Sequence, residues 1–307
     1  VANFSASEAI GSGFRLIGRT PWVLLAWALA YLLLMVPQFA VLAGSGPHLF
    51  GLFQAMAKAP PGAPPDPGQM MALQQQMIGV QAVAWLTAIV VNTLLMAAVY
   101  RAVLEPQARG WAYLRLGAAE LWLGLMFLVL MFLLMLMMFA LIIPLAIGGG
   151  IMAAAAHGAP GASGGLVFGL AAAAGVVAIV WVFLRLSLAL PLSFAERRFL
   201  LFESWALTRG HALKIFAVAI AVVVIVWVLE MVVVALLAVL LWVPLSFGGF
   251  DLSTLSTTPM PELLRRLLPA LLLLIPVWAL FVVAMTTVMM APWADIYRQL
   301  TRADAPA

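Results

Sequence analysis

Long apolar runs alternate with short polar connectors along this chain. Six runs stand out, at about 21–43, 78–102, 119–147, 165–192, 213–246 and 265–293. Each reaches the roughly 20 residues that a helix needs to cross a bilayer core. No water inside lipid satisfies backbone N–H and C=O groups, so every run is predicted to be helical. The runs do not alternate apolar and polar positions, which argues against a barrel. The expectation is an all-α polytopic membrane protein, a single membrane domain over 1–307 with six spans.

The polar connectors set the orientation. Arg15 and Arg19 precede the first run; Arg101, at the end of the second, is followed by Arg109 and Arg115 before the third. The region from the end of the fourth run to the start of the fifth has Arg185, Arg197, Arg198, Arg209 and Lys214, and Arg298 and Arg302 follow the sixth. These are twelve of the fifteen basic residues; the other connectors hold only Lys58, Arg265 and Arg266. Basic residues resist translocation, so the rich side is expected to be cytoplasmic, with both termini inside. The first run, followed by "VLAG", has the form of a cleavable signal with its cut after Ala43. We read it as a retained signal anchor.

On the other side, Lys58–Gln69 is expected to be a stiff Pro-rich connector. Gly148–Gly165 is expected to be a flexible one. Thr258–Leu268 is expected to be a short interfacial helix whose Arg265 and Arg266 reach headgroups.

The connectors suggest a threefold internal repeat, over about 5–102, 103–194 and 195–302. "FRLIGRTPW" begins at Phe14, "LRLGAAELW" at Leu114 and "WALTRGHAL" at Trp205. Each is predicted to contribute a cytoplasmic interfacial helix followed by a helical hairpin. Ser5 and Glu8 have capping-box spacing, and Glu105 and Arg109 form a favourable i,i+4 pair. In the third, a wheel puts Phe199, Leu201, Phe202, Trp205 and Ala206 on an apolar arc, with Glu196, Arg197, Glu203, Ser204 and Thr208 opposite. Leu200 and Leu207 interrupt that polar arc. A helix over Phe202–Arg209 is predicted to lie along the membrane face, with Gly210 turning the chain upward in a left-handed conformation.

Only 8% of residues are charged and 66% are hydrophobic, against about 25% and 45–50% in soluble domains. Against that background "ESWALTRGHALKIF" (Glu203–Phe216) is conspicuous. Its plain meaning is a water-facing connector that sets topology; the alternative is a ligand or headgroup site there, with Glu203, Ser204, Thr208 and Arg209 as candidate functional polar residues. Arg185, near the end of the fourth run, is a further candidate polar residue. The net charge of +4 is spread between spans and implies no nucleic-acid partner. The absence of cysteine excludes disulfides, thiolate metal sites and cysteine nucleophiles.

Three segments carry a family resemblance. "LRLSLALPLSF", "ESWALTRGHALKIF" and "APWADIYRQLTR" resemble the membrane domain of the family named after glycerophosphoryl diester phosphodiesterase. The matching positions are Arg185, Ser187, Pro191, Ser204, Trp205, Leu207, Thr208, Gly210, Tyr297 and Arg298. The likeness implies a six-span bacterial inner-membrane protein. In some relatives catalysis belongs to a fused barrel, and nothing here resembles that barrel's His-Arg-Gly and acidic metal-site motifs.

Other candidate chemistry is sparse. "GASGG" at Gly161–Gly165 is a formal nucleophile elbow, but no strand precedes it. Ser163 sits where a rhomboid-like protease carries its serine, yet the sixth span holds no histidine to act as base. His48, His157 and His211 are the only histidines. Glu230 is the one carboxylate well inside a span, a functional candidate by default because burying its charge is costly. Asn92 lies near the middle of the second span and is suited to bonding across helices.

The expected function is that of a multi-pass inner-membrane protein without catalytic machinery or cofactor. It would act as a scaffold or subunit with lipid, membrane-protein or like-chain partners. The alternative is a transporter using Glu230 and Asn92; a rhomboid-like protease is the remote one. Pro144, Pro191, Pro244, Pro269 and Pro276 are possible helix breaks, which transporters use.

Overall fold

The computed structural model describes residues 4–57, 66–108, 110–155, 162–247 and 260–303. All regular structure among them is helical: α1 (Ala6–Arg19), α2 (Pro21–Ala57), α3 (Pro67–Leu104), α4 (Ala118–Ala155), α5 (Ala162–Leu186), α6 (Ala189–Glu196), α7 (Glu203–Leu207), α8 (Ala212–Phe247) and α9 (Met260–Ala303). Six helical segments are long and apolar enough to cross a membrane. α2, α4 and α8 leave one end of the bundle, and α3, α5 and α9 return to it. That end carries Arg15, Arg19, Arg101, Arg115, Arg185, Arg197, Arg198, Arg209, Lys214 and Arg298, and is called the basic end below.

Several helix limits differ from the hydropathy boundaries. α2 and α3 run well past 43 and before 78, so this hairpin is longer than a bilayer core by about 25 Å at 1.5 Å per residue. Hydropathy misses the extension because "GSGPHLFGLFQ" and "QMMALQQQ" are only weakly apolar. Most of the Pro-rich connector (58–65) and His157 lie outside the described residues. Pro67 and Gln69, however, are helical: Asp66 caps α3 by accepting from the Gly68 amide at 2.9 Å, and Pro67 takes the first turn, where no N–H is needed. The separate helix expected at Thr258–Leu268 is instead the start of α9, which is continuous from Met260.

Of the five prolines, only Pro191 lies beside a break. Pro144, Pro244, Pro269 and Pro276 sit inside α4, α8 and α9. Pro191 lacks an N–H and its ring crowds the Ser187 carbonyl one turn earlier. The fourth span accordingly breaks at Ser187–Leu188 and resumes as α6.

Packing is tightest at the basic end. α2, α3 and α9 form the centre, with Val23, Trp27, Met96, Tyr100, Leu123 and Val283 buried together. α1 crosses α9 and α8, and Phe4, Ile215, Val218 and Ile296 fill that contact. Ser5 caps α1 as its spacing predicts, accepting from the Glu8 amide at 3.4 Å. Gly13 lets α1 lie directly on α9, since a Cβ there would stand 2.7 Å from the Val288 Cα. Away from this end burial falls away: the most apolar windows of the fourth and fifth spans are 0% and 6% buried.

Among its described residues the connector between α3 and α4 holds no α-helix, contrary to the expected second interfacial helix. Glu105 caps α3, Arg109 lies outside the described residues, and Gly110–Tyr113 is a single 3-10 turn with Ala112 and Tyr113 at φ of 50° and 61°. Its last two carbonyls bond to side chains rather than to a helix. Trp27 Nε1 donates to Ala112 O at 2.6 Å, and Arg101 Nη1 donates to Tyr113 O at 2.6 Å.

Candidate functional site

The break after α5 frees the Arg185 carbonyl, and α7 satisfies it. Ser204 Oγ donates to Arg185 O at 2.9 Å. Thr208 Oγ1 stands 3.3 Å from the same oxygen, 3.0 Å from Ser204 O and 3.2 Å from Trp205 O, so its one proton serves one of them at a time. Both hydroxyl side chains are fully buried. The wheel placed them on a polar, water-facing arc; the structure turns them inward. No continuous helix spans 196–208, because Arg197 adopts a left-handed φ of 53° and α7 is only Glu203–Leu207. Gly210 does turn the chain with a positive φ, 84°.

Docking α7 onto α5 places Trp205 beside Arg185. The guanidinium carbon lies 5.4 Å from the Trp205 ring centre and 4.9 Å from that of Trp181, one turn earlier on α5. These are cation–π distances. Nε and Nη1 of Arg185 are buried and find no hydrogen-bond acceptor among the described residues. No carboxylate among them pairs with this guanidinium. Glu203 and Arg209 are exposed on the same connector.

Glu230 and Asn92 do not converge. Glu230 is exposed on α8. Asn92 is exposed on α3, where its Nδ2 donates back to Ala88 O of its own helix at 2.8 Å. His48 is exposed, and His211 packs edge-on to Phe4 at 6.0 Å. Ser163 lies in the first turn of α5, but its side chain is outside the described residues. Among the described residues no group of three or more His, Asp or Glu is placed to hold a metal.

Two polar networks at the basic end were missed in the sequence, although the Asp295–Arg298 and Asp295–Gln299 spacings of the second are those of helical neighbours. Arg101 and Glu120 form an ion pair with side chains only 6% and 5% exposed, joining the end of α3 to the start of α4. Phe194 of α6 lies 5.4 Å from this guanidinium. A polar pocket of about 180 Å³ adjoins the pair, with Glu105, Arg115 and Arg197 on its wall. In the second network, buried Asp295 binds Arg298 and Gln299. Arg298 also donates to Val103 O at 3.1 Å, and the Ser5 amide donates to Gln299 Oε1 at 2.8 Å. These bonds tie α1, α3 and α9 together.

Below the basic end, an apolar cleft of about 540 Å³ separates α4–α5 from α8; Met96, Phe127, Phe183, Phe216 and Met290 are on its wall. On the part of α5 farthest from the basic end, Gly165 and Gly169 are exposed at G-x-x-x-G spacing, and among the described residues nothing stands within 4 Å of either Cβ position. That spacing was readable in the sequence.

No family model, curated protein or solved structure matches this chain.

Proposed function

We propose that this chain is a multi-pass protein of a bacterial inner membrane. Its basic end and both termini face the cytoplasm, and it works as a non-catalytic scaffold or subunit for a membrane-protein partner, a second copy of the chain included. The uncovered fourth span carries this reading: none of its most apolar window is buried, and it presents open Gly165 and Gly169. Small residues at that spacing let two membrane helices approach closely. The orientation is supported by the gathering of basic side chains at one end. Two ties at that end join helices: the Arg101–Glu120 pair links α3 to α4, and Arg298, paired with Asp295 on its own helix, donates to Val103 O of α3. We further propose that the hairpins α2–α3, α4–α5 and α8–α9 descend from the threefold repeat, with α1 and α7 at the cytoplasmic interface.

The transport alternative lacks a shared site, since Glu230 and Asn92 are both exposed and on different helices. Flux measured in sealed vesicles tests this. Vesicles containing the protein should be no leakier to ions and small solutes than empty ones. Protein-dependent flux that disappears in Glu230→Gln overturns the proposal in favour of transport.

A further inference from the structure

The Arg185 guanidinium is held in place but left without a counter-charge. Trp181 and Trp205 approach it at 4.9 and 5.4 Å, and its carbonyl is locked by Ser204. Buried donors are almost always satisfied, and an unmade bond costs about 1–3 kcal/mol, more for a charged group. Yet Nε and Nη1 find no acceptor in the described protein, and no carboxylate there pairs with this side chain. The contrast within the molecule is direct. Arg101 and Arg298, at the same end, each have a carboxylate and a main-chain carbonyl.

The surroundings narrow what could supply the missing charge. Trp181 and Trp205 are 45% and 40% exposed, so the stack opens on the flank of the bundle rather than into its core. Arg185 is in the last turn of α5, at the basic end, where a spanning helix meets the headgroup layer. Indoles favour that layer because one edge is apolar and the N–H is wet. A planar guanidinium fork matches the oxygens of a phosphate group.

We propose that Arg185, flanked by Trp181 and Trp205, is a binding site for a phosphate group, carried on an anionic membrane lipid or free in solution. Ser204 and Thr208 act as positioning residues: they fix α7 against α5 and so hold Trp205 beside the guanidinium. This proposal rests on the membrane placement proposed above, but not on the partner at α5.

The test uses the full chain in nanodiscs of phosphatidylcholine with a minority of phosphatidylglycerol, with retained lipid counted by native mass spectrometry. The wild type should retain phosphatidylglycerol over phosphatidylcholine. Arg185→Gln should reduce that retention about tenfold, the loss expected for one charge-assisted contact. If excess inorganic phosphate leaves the lipid in place, the source is lipid-borne; if phosphate displaces it and itself remains bound, the source is free phosphate. Should Arg185→Gln fail to insert, Arg185→Lys, which loses the fork, and Trp181→Leu, which loosens the stack, carry the test. Each should weaken retention. Equal retention of both lipids by wild type and variants, with no bound phosphate, overturns the site. Lost selectivity in Arg185→Gln with partner cross-linking at α5 intact separates this site from the subunit proposal.

Discussion

Ser204 Oγ lies 2.9 Å from the main-chain oxygen of Arg185, closing a nineteen-residue excursion of the chain. The bond exists because Pro191 breaks the fourth span and leaves that carbonyl without its helical donor. It fixes α7 on α5 and brings Trp205 to the guanidinium.

Thr208 can take over part of this duty, since its hydroxyl is 3.3 Å from the same oxygen. Ser204→Ala is therefore expected to cost only about 1 kcal/mol. Ser204→Ala with Thr208→Val should cost more than the sum of the two single changes, because the buried acceptor is then orphaned. Thermal unfolding in detergent reads this; strict additivity would contradict a shared acceptor.

The Arg101–Glu120 pair makes an opposite prediction about removal. Glu120→Gln leaves a buried guanidinium without its counter-charge and should destabilise by about 3–5 kcal/mol. Replacing both partners, as Arg101→Met with Glu120→Leu, should recover much of that loss, though not the bond to Tyr113 O. A double-mutant cycle on unfolding midpoints checks it; equal damage from the single and double variants contradicts the role assigned to the pair.

The pattern of apolar runs was enough to place six spans, because lipid permits only one local answer to each long apolar run. The cap at Ser5 and the turn at Gly210 were legible for a similar reason: both are decided by neighbours in sequence. The helical wheel put Ser204 and Thr208 on its polar arc, whereas both side chains are buried. Their orientation depends on a carbonyl nineteen residues earlier, which no helical wheel contains. Arg101 was read only as a topological charge, since its partner Glu120 lies across a connector whose path is set by Trp27 and Arg101 themselves. Glu230 and Asn92 stood out as polar groups in apolar runs, but sequence could not say that both are exposed. The extension of the α2–α3 hairpin was missed because hydropathy marks where lipid ends, not where helix does.

Contact between α1 and α9 depends on the missing side chain of Gly13. A Cβ there would meet backbone at 2.7 Å, which no rotamer can relieve. Gly13→Ala should cost about 1–3 kcal/mol through overpacking. Gly18→Ala on the same helix, where nothing stands within 4 Å, should be neutral or stabilising. Comparable unfolding midpoints for the two variants would sink the close-approach account.

At Gly210 the constraint is conformational instead. Its φ is 84° and no atom stands within 4 Å of the Cβ position, so space is not limiting. Gly210→Ala should cost about 1–2 kcal/mol from the left-handed backbone alone. Gly210→Asn should cost less, and Gly210→Val more. The three midpoints, ranked, give the answer; a tolerated valine means the chain turns elsewhere.

The subunit proposal is tested most directly by a photo-crosslinking residue at Ala173, which continues the exposed Gly165–Gly169 face of α5, activated in intact membranes. The account predicts one discrete adduct, either a second copy of this chain or a single other polypeptide of constant mass, and its loss on Gly169→Leu. A chain that stays uncross-linked at Ala173, or carries lipid adducts alone, contradicts it.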